Sequence, residues 1–136
     1  MKKTIITILI LGILATVGSF GAKSAFLQLQ ANWAVQADTR NAGYKVRIHN
    51  QYYCLRTILV FDLRRVSPNG ARADTFRVLL QVAEALSEKT FERVYLAYKG
   101  QHKFIVEGNY FKTLGQEYDF QNPTFTARTF PEHLFD

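Results

Sequence analysis

The chain has 136 residues, of which 48% are hydrophobic and 21% charged. These values exclude global disorder and describe one globular domain able to bury its own core without disulfides or a structural metal. The formal net charge is +6, but Lys2 and Lys3 belong to an apolar leader, so charge alone is no argument for a nucleic-acid partner.

Met1-Lys2-Lys3 is a short positive start, and Thr4 to Ala22 (TIITILILGILATVGSFGA) follows without a charge. Nineteen helical residues span about 28 Å, close to the hydrocarbon thickness of a bilayer. The segment reads as a membrane-inserting helix, either an uncleaved transmembrane anchor or a signal peptide. Gly18, Ser19, Gly21, Ala22, Ser24 and Ala25 offer small residues to a peptidase, and none of them marks a single cut. Lys2, Lys3 and the terminal amine, against Lys23 alone, predict an N-terminus in the cytoplasm and a domain outside it. That address is the bacterial inner membrane for an anchor, and the periplasm or the medium for a cleaved signal. Residues 1–25 are thus the anchor or signal, 26–43 a linker or stalk, and 44–136 a small extracytoplasmic domain. Phe26, Leu29 and Trp33 recur along the stalk at helical spacing, and Trp33 suits either the membrane interface or a dock on the domain.

Asn41-Ala42-Gly43 marks a turn. Tyr44 to His49 then alternates, with Tyr44, Val46 and Ile48 on one face and Lys45, Arg47 and His49 on the other, which predicts a half-exposed strand. Cys54 to Leu63 (CLRTILVFDL) is apolar on both faces and reads as a central strand paired with it in a hairpin. The one cysteine, Cys54, reads as a buried free thiol, because no histidine stands beside it to make a thiolate. Ser67-Pro68-Asn69-Gly70 is a turn, and Asp74 is the expected N-cap of a helix over about 74–87, with Phe76, Leu79, Leu80, Ala83 and Leu86 inward. Phe91 to Lys99 and His102 to Glu107 read as strands joined by a tight turn. Gly108-Asn109 opens a short helix with Phe111 and Leu114 inward, ending at Gly115. Asn122-Pro123 breaks the tail, and Thr124 to Phe130 is expected to be an edge strand. This order predicts an α+β fold, an antiparallel sheet of about four to five strands with one main helix and a short second helix on one face.

Chemistry-bearing constellations are sparse. There is no phosphate-binding Gly-rich loop, no G-x-S-x-G, no H-E-x-x-H and no C-x-x-C. His49, His102 and His133 lie far apart, so no catalytic, cofactor or metal residues are assigned from the sequence. Glu132-His133 is the one conceivable acid/base pair, on a Pro-broken tail that makes a poor platform. Tyr95, Tyr98, Tyr110, Phe111 and Tyr118 would line a groove beside the His102 hairpin if they were not core. Beyond Ala22 there are 15 basic and 11 acidic residues, and between Arg40 and Arg77 eight basic residues stand against Asp62 and Asp74. That stretch reads as a solvated basic face, open to anionic lipid headgroups or another acidic partner.

YLAYKGQHKFIVEGNYFKTLGQEYDFQNP and RTFPEHLF, within Val94 to Phe135, resemble an uncharacterised family of small bacterial envelope proteins. The resemblance covers about a third of the chain and implies no activity. It implies relatives that continue past this point, which fits the apolar Leu134 and Phe135 so near the end. The expectation is a non-enzymatic, membrane-anchored module that binds a partner such as another envelope protein. The alternative is a small periplasmic hydrolase using polar residues of the C-terminal half. A secreted RNA-acting toxin would rest on size and charge alone.

Overall fold

A computed structural model of the chain describes residues 2–51 and 57–136. The N-terminal segment is helical as expected, and the helix is longer than the apolar run. α1 spans Lys2–Ala37, 36 residues without a break, or about 54 Å. Over Lys3–Thr16 every residue is exposed. From Leu27 onward one face enters the domain, with Leu27, Ala31 and Val35 buried at i, i+4 and i+8. Residues 26–43, read from the sequence as a stalk, therefore supply part of the core. A 3-10 turn, Thr39–Asn41, follows.

The domain continues with β1 (Lys45–Asn50), β2 (Ile58–Arg65), α2 (Arg72–Ala85), β3 (Arg93–Tyr98), β4 (Gln101–Glu107), α3 (Gly108–Glu117) and α4 (Pro123–Thr129). The four strands lie in the order β1-β2-β3-β4. β1–β2 and β3–β4 are antiparallel, whereas β2–β3 is parallel, with Phe61 opposite Leu96. The sheet is thus mixed rather than wholly antiparallel, because α2 crosses over between β2 and β3 and returns the chain to the same end. The α+β two-layer architecture is as expected. One sheet face, with Val46, Ile48, Leu59, Phe61, Leu63 and Val94, lies under the helices; all six are buried.

The edges of the sheet are covered by specific bonds. Gln28 of α1 accepts from Ile48 N at 2.6 Å and donates to Val46 O at 3.1 Å, so one amide caps the free side of β1. At the other edge Ile105 and Phe135 exchange backbone bonds of 2.7 and 2.9 Å. On the opposite face Asp62 is buried and accepts from Gly100 N at 3.0 Å and Arg64 Nη1 at 3.0 Å. This pins the β3–β4 turn, where Lys99 and Gly100 both have positive φ, as two-residue hairpins require.

Three local expectations are corrected. Thr124 to Phe130 is not an edge strand but helix α4 and its C-cap: the Asn122 side chain accepts from Thr124 N at 2.9 Å and Pro123 occupies the first turn. The Asn-Pro pair starts a helix, since a missing N–H costs nothing at that position. α3 does not stop at Gly115 but runs through it to Glu117. Its glycine is required by packing, for a Cβ there would run into the carbonyl of Ala83 in α2. Asp74 is not the N-cap but the third residue of α2, accepting from Ala71 N at 2.8 Å. The Cys54 reading lies outside the described residues.

Gly115→Ala is expected to force α3 off α2 and to destabilise the domain by about 2 kcal/mol, the usual size of overpacking. Thermal unfolding of the full chain in detergent micelles, followed by circular dichroism, measures it. An unchanged midpoint would mean the two helices can separate freely.

Candidate functional site

The strand directions give the domain two unlike ends. At one end lie Ala22 and Lys23 of α1, the end of β1 at Asn50 and the start of β3. At the opposite end lie the C-terminus of α1, the start of β1, the end of β2, the start of α2 and the β3–β4 turn. Most cations of the Arg40–Arg77 stretch fall at that second end, away from the uncharged half of α1. Lys99 joins them from the β3–β4 turn and Lys103 from β4.

The cations there are not equivalent. Arg77 donates to Asp74 Oδ1 at 2.6 Å and to Asn41 Oδ1 at 3.1 and 3.2 Å, and stands 3.7 Å from Asp38. Arg40 grips Asp38, with Nη2 at 2.7 Å and Nε at 2.9 and 3.2 Å. Gln81 donates to Asp38 at 2.9 Å, and Asn41 donates to Gln81 at 2.6 Å and to Val35 O at 3.0 Å. Asn41 and Gln81 are buried, so this network fastens the end of α1 to α2. Hydrogen bonds from Arg40 and Gln81 hold the Asp38 carboxyl far below the ordinary carboxylate range. The Ala71 N–H and Arg77 lower that of Asp74. The Arg72 side chain, by contrast, has no hydrogen bond or ion pair among the described residues.

Two clefts meet at Arg72. One, of about 680 Å³, runs between α2 and α4 and is lined by Arg40, Arg72, Arg77, Leu80, Tyr118, Pro123 and Ala127. The other, of about 490 Å³, opens between α2 and the sheet over Phe61, Leu63, Leu79, Leu96, Tyr98 and Phe104, with Lys103 also on its wall. Phe76 and Phe130 line both, packed edge to face with ring centroids 5.1 Å apart. Neither wall contains a carboxylate. The combined surface is apolar, aromatic and positively charged, a chemistry suited to an anionic ligand with an apolar part.

The residues singled out in the sequence are dispersed. His49 sits on β1, with Nδ1 3.2 Å from Asn50 O. His102, on the opposite edge strand, stacks on Tyr95 at 4.8 Å. His133 stacks on Tyr110 at 3.7 Å. No hydrogen bond or ion pair joins Glu132 to His133, and no group of three potential metal ligands occurs among the described residues. Phe111 is core, against Phe91; Tyr98 and Tyr118 each line one cleft, so the five aromatics form no single groove. Phe26, Leu29 and Trp33 form a second exposed face of α1, with Trp33 71% exposed, opposite the buried stripe. The sequence missed Arg72 as an unpaired cation, because a count of charges does not show that Arg40 turns back on Asp38 or that Arg77 is held by Asp74 and by Asn41, 36 residues away. No family model, no curated protein and no solved structure matches the chain.

The network makes stability depend on acid. Asp38 and Asp74 have lowered folded values, so their contribution is complete above the ordinary carboxylate range, about pH 4, and is lost as pH falls through the folded values. Glu84, raised by burial and by nearby Asp119, acts in the opposite sense, its cost accumulating as pH rises from that range through its folded value. Asp38→Asn is expected to melt earlier than the parent at pH 7, with the gap narrowing as pH falls from about 4 toward 2. Thermal midpoints across that interval test this, and a constant offset at all pH values would contradict it.

Proposed function

We propose that the protein is a membrane-anchored, non-enzymatic module of the bacterial envelope that binds an acidic protein segment at the end of its domain remote from the bilayer. The observation that carries this is Arg72, an unpaired cation set between two aromatic clefts whose walls hold no carboxylate. An acidic side chain of the partner would pair with Arg72 while a neighbouring apolar side chain enters the slot beside Phe76 and Phe130. α1, long and apolar enough over its first half to cross a membrane, supplies the anchor. The lysines before it favour a cytoplasmic N-terminus. The likeness of Val94–Phe135 to small envelope proteins fits the same address.

A photoreactive amino acid at Ala127, with a control at exposed Thr113, tests the reading in intact cells. The expected result is one captured protein, crosslinked only from position 127, with an acidic segment at the crosslink. Arg72→Glu should weaken its binding by about tenfold or more, and added salt should weaken the parent complex. Equal capture from both positions, or binding indifferent to Arg72→Glu, would contradict it.

A further inference from the structure

A third cleft lies at the other end of the domain, where the uncharged half of α1 gives way to the domain. It measures about 460 Å³, and its walls include Ala22, Lys23 and Phe26 of α1, Asn50 at the end of β1, and Lys89 and Phe91 ahead of β3. Lys23 is the first charge after the uncharged run. Lys89 Nζ stands 5.5 Å from the Phe26 ring centroid. Neither lysine forms an ion pair among the described residues, and the cleft wall has no carboxylate. The nearest acidic neighbours in sequence are Glu88, outside the wall, and Glu92, which faces Arg93 at 3.9 Å. Asn50, on the cleft wall, also carries an unmet hydrogen-bonding group. Asn50 is only 7% exposed, and its Oδ1 is buried without a partner, a state that normally signals a missing donor.

We infer that this cleft is a binding site for the headgroup of an anionic phospholipid that carries free hydroxyls, phosphatidylglycerol in kind. The inference rests on the membrane-anchored reading of α1. The phosphate sits between the Lys23 and Lys89 ammonium groups, a headgroup hydroxyl donates to Asn50, and the acyl chains descend along the bare apolar surface of α1 below Ala22. The cleft's cations lie at the level where an anionic leaflet is met, whereas the larger arginine cluster lies at the far end. Phe26 provides an apolar wall continuous with the helix below, and Asn50 distinguishes a hydroxylated headgroup from a bare phosphate.

The test uses the full chain. Membrane insertion is first established by resistance to alkaline extraction and by protease protection. Native mass spectrometry from detergent then compares retention of phosphatidylglycerol, phosphatidic acid and phosphatidylcholine of one chain length. Phosphatidylglycerol is expected to be retained about tenfold over phosphatidylcholine or more, the size two ammonium groups supply at an anionic surface, and also in preference to phosphatidic acid. The double variant Lys23→Gln/Lys89→Gln should reduce that preference to within about twofold, and Asn50→Ala should abolish the preference over phosphatidic acid alone. Arg93→Gln, outside the cleft, is the control for general charge and should leave both preferences in place. An inserted chain without lipid preference, or one whose preference survives the double variant, overturns the lipid site and leaves the anchor standing. Soluble glycerol phosphate competing with equal strength would overturn the lipid as occupant. A chain that fails to insert overturns the anchored reading and this one with it.

Discussion

The rest of the structure depends on α1 being one unbroken helix with two unlike halves. Over Lys3–Thr16 it is exposed on all sides; its second half is one-sided and closes the domain's core through Leu27, Ala31 and Val35. A flexible linker would have left the domain free to tumble. A continuous hydrogen-bonded helix instead fixes which end of the sheet lies near Ala22 and which lies near Ala37. The mixed sheet then orders everything else along that axis. Because β2 and β3 are parallel, α2 must start at the far end and finish at the near end, so Arg72 and Lys89 are delivered to opposite ends of the domain.

Holding α1 against α2 requires more than apolar packing, because the last turn of α1 leaves carbonyls without partners. Asn41 meets one of them, Val35 O, and passes the connection to Gln81 and so to Asp38. Burying the Asn41 and Gln81 amides beside a partly exposed Asp38 is tolerable because each is bonded; a half-satisfied network would cost more than an apolar contact. The same network decides which cations are free. Arg40 and Arg77 serve it, and their charges are compensated by Asp38 and Asp74. Arg72, one turn earlier on α2 than Arg77 and facing the clefts, is left over. Charge counting treats the three alike; geometry does not.

Much of the architecture was legible from periodicity. The long apolar helix, the two hairpins, the main helix and the short α3 all follow from spacing and turn residues, since local rules suffice where one face is simply buried. What was not legible depended on contacts distant in sequence. The parallel β2–β3 pairing follows from a crossover, and hairpin signals on both sides obscure it. Gly115 reads as a stop from sequence and is in fact a point of close approach to Ala83. Asn122-Pro123 reads as a break and is a helix start. Phe26, Leu29 and Trp33 share a face, as their spacing indicates, but the core took the opposite face of small and aliphatic residues, where α2 and β1 come close. The site was legible only as a basic bias; its division into paired arginines, a free Arg72 and a separate Lys23–Lys89 pair required the fold.

The two ends impose different demands on the same short helix. Arg72 is the first residue of α2, and Lys89 follows its last by four positions, so the domain joins its near and far surfaces through about four turns of helix. The interior of that helix is Val78, Leu79, Leu80, Val82 and Ala83, buried between the sheet, α1 and α3. An element packed on so many sides cannot slide or tilt without opening cavities, each costing a few kcal/mol. The two surfaces are therefore held at a fixed separation. A group docked at one end therefore stands at a set distance and orientation from the other, a consequence of α1 and α2 sharing one core.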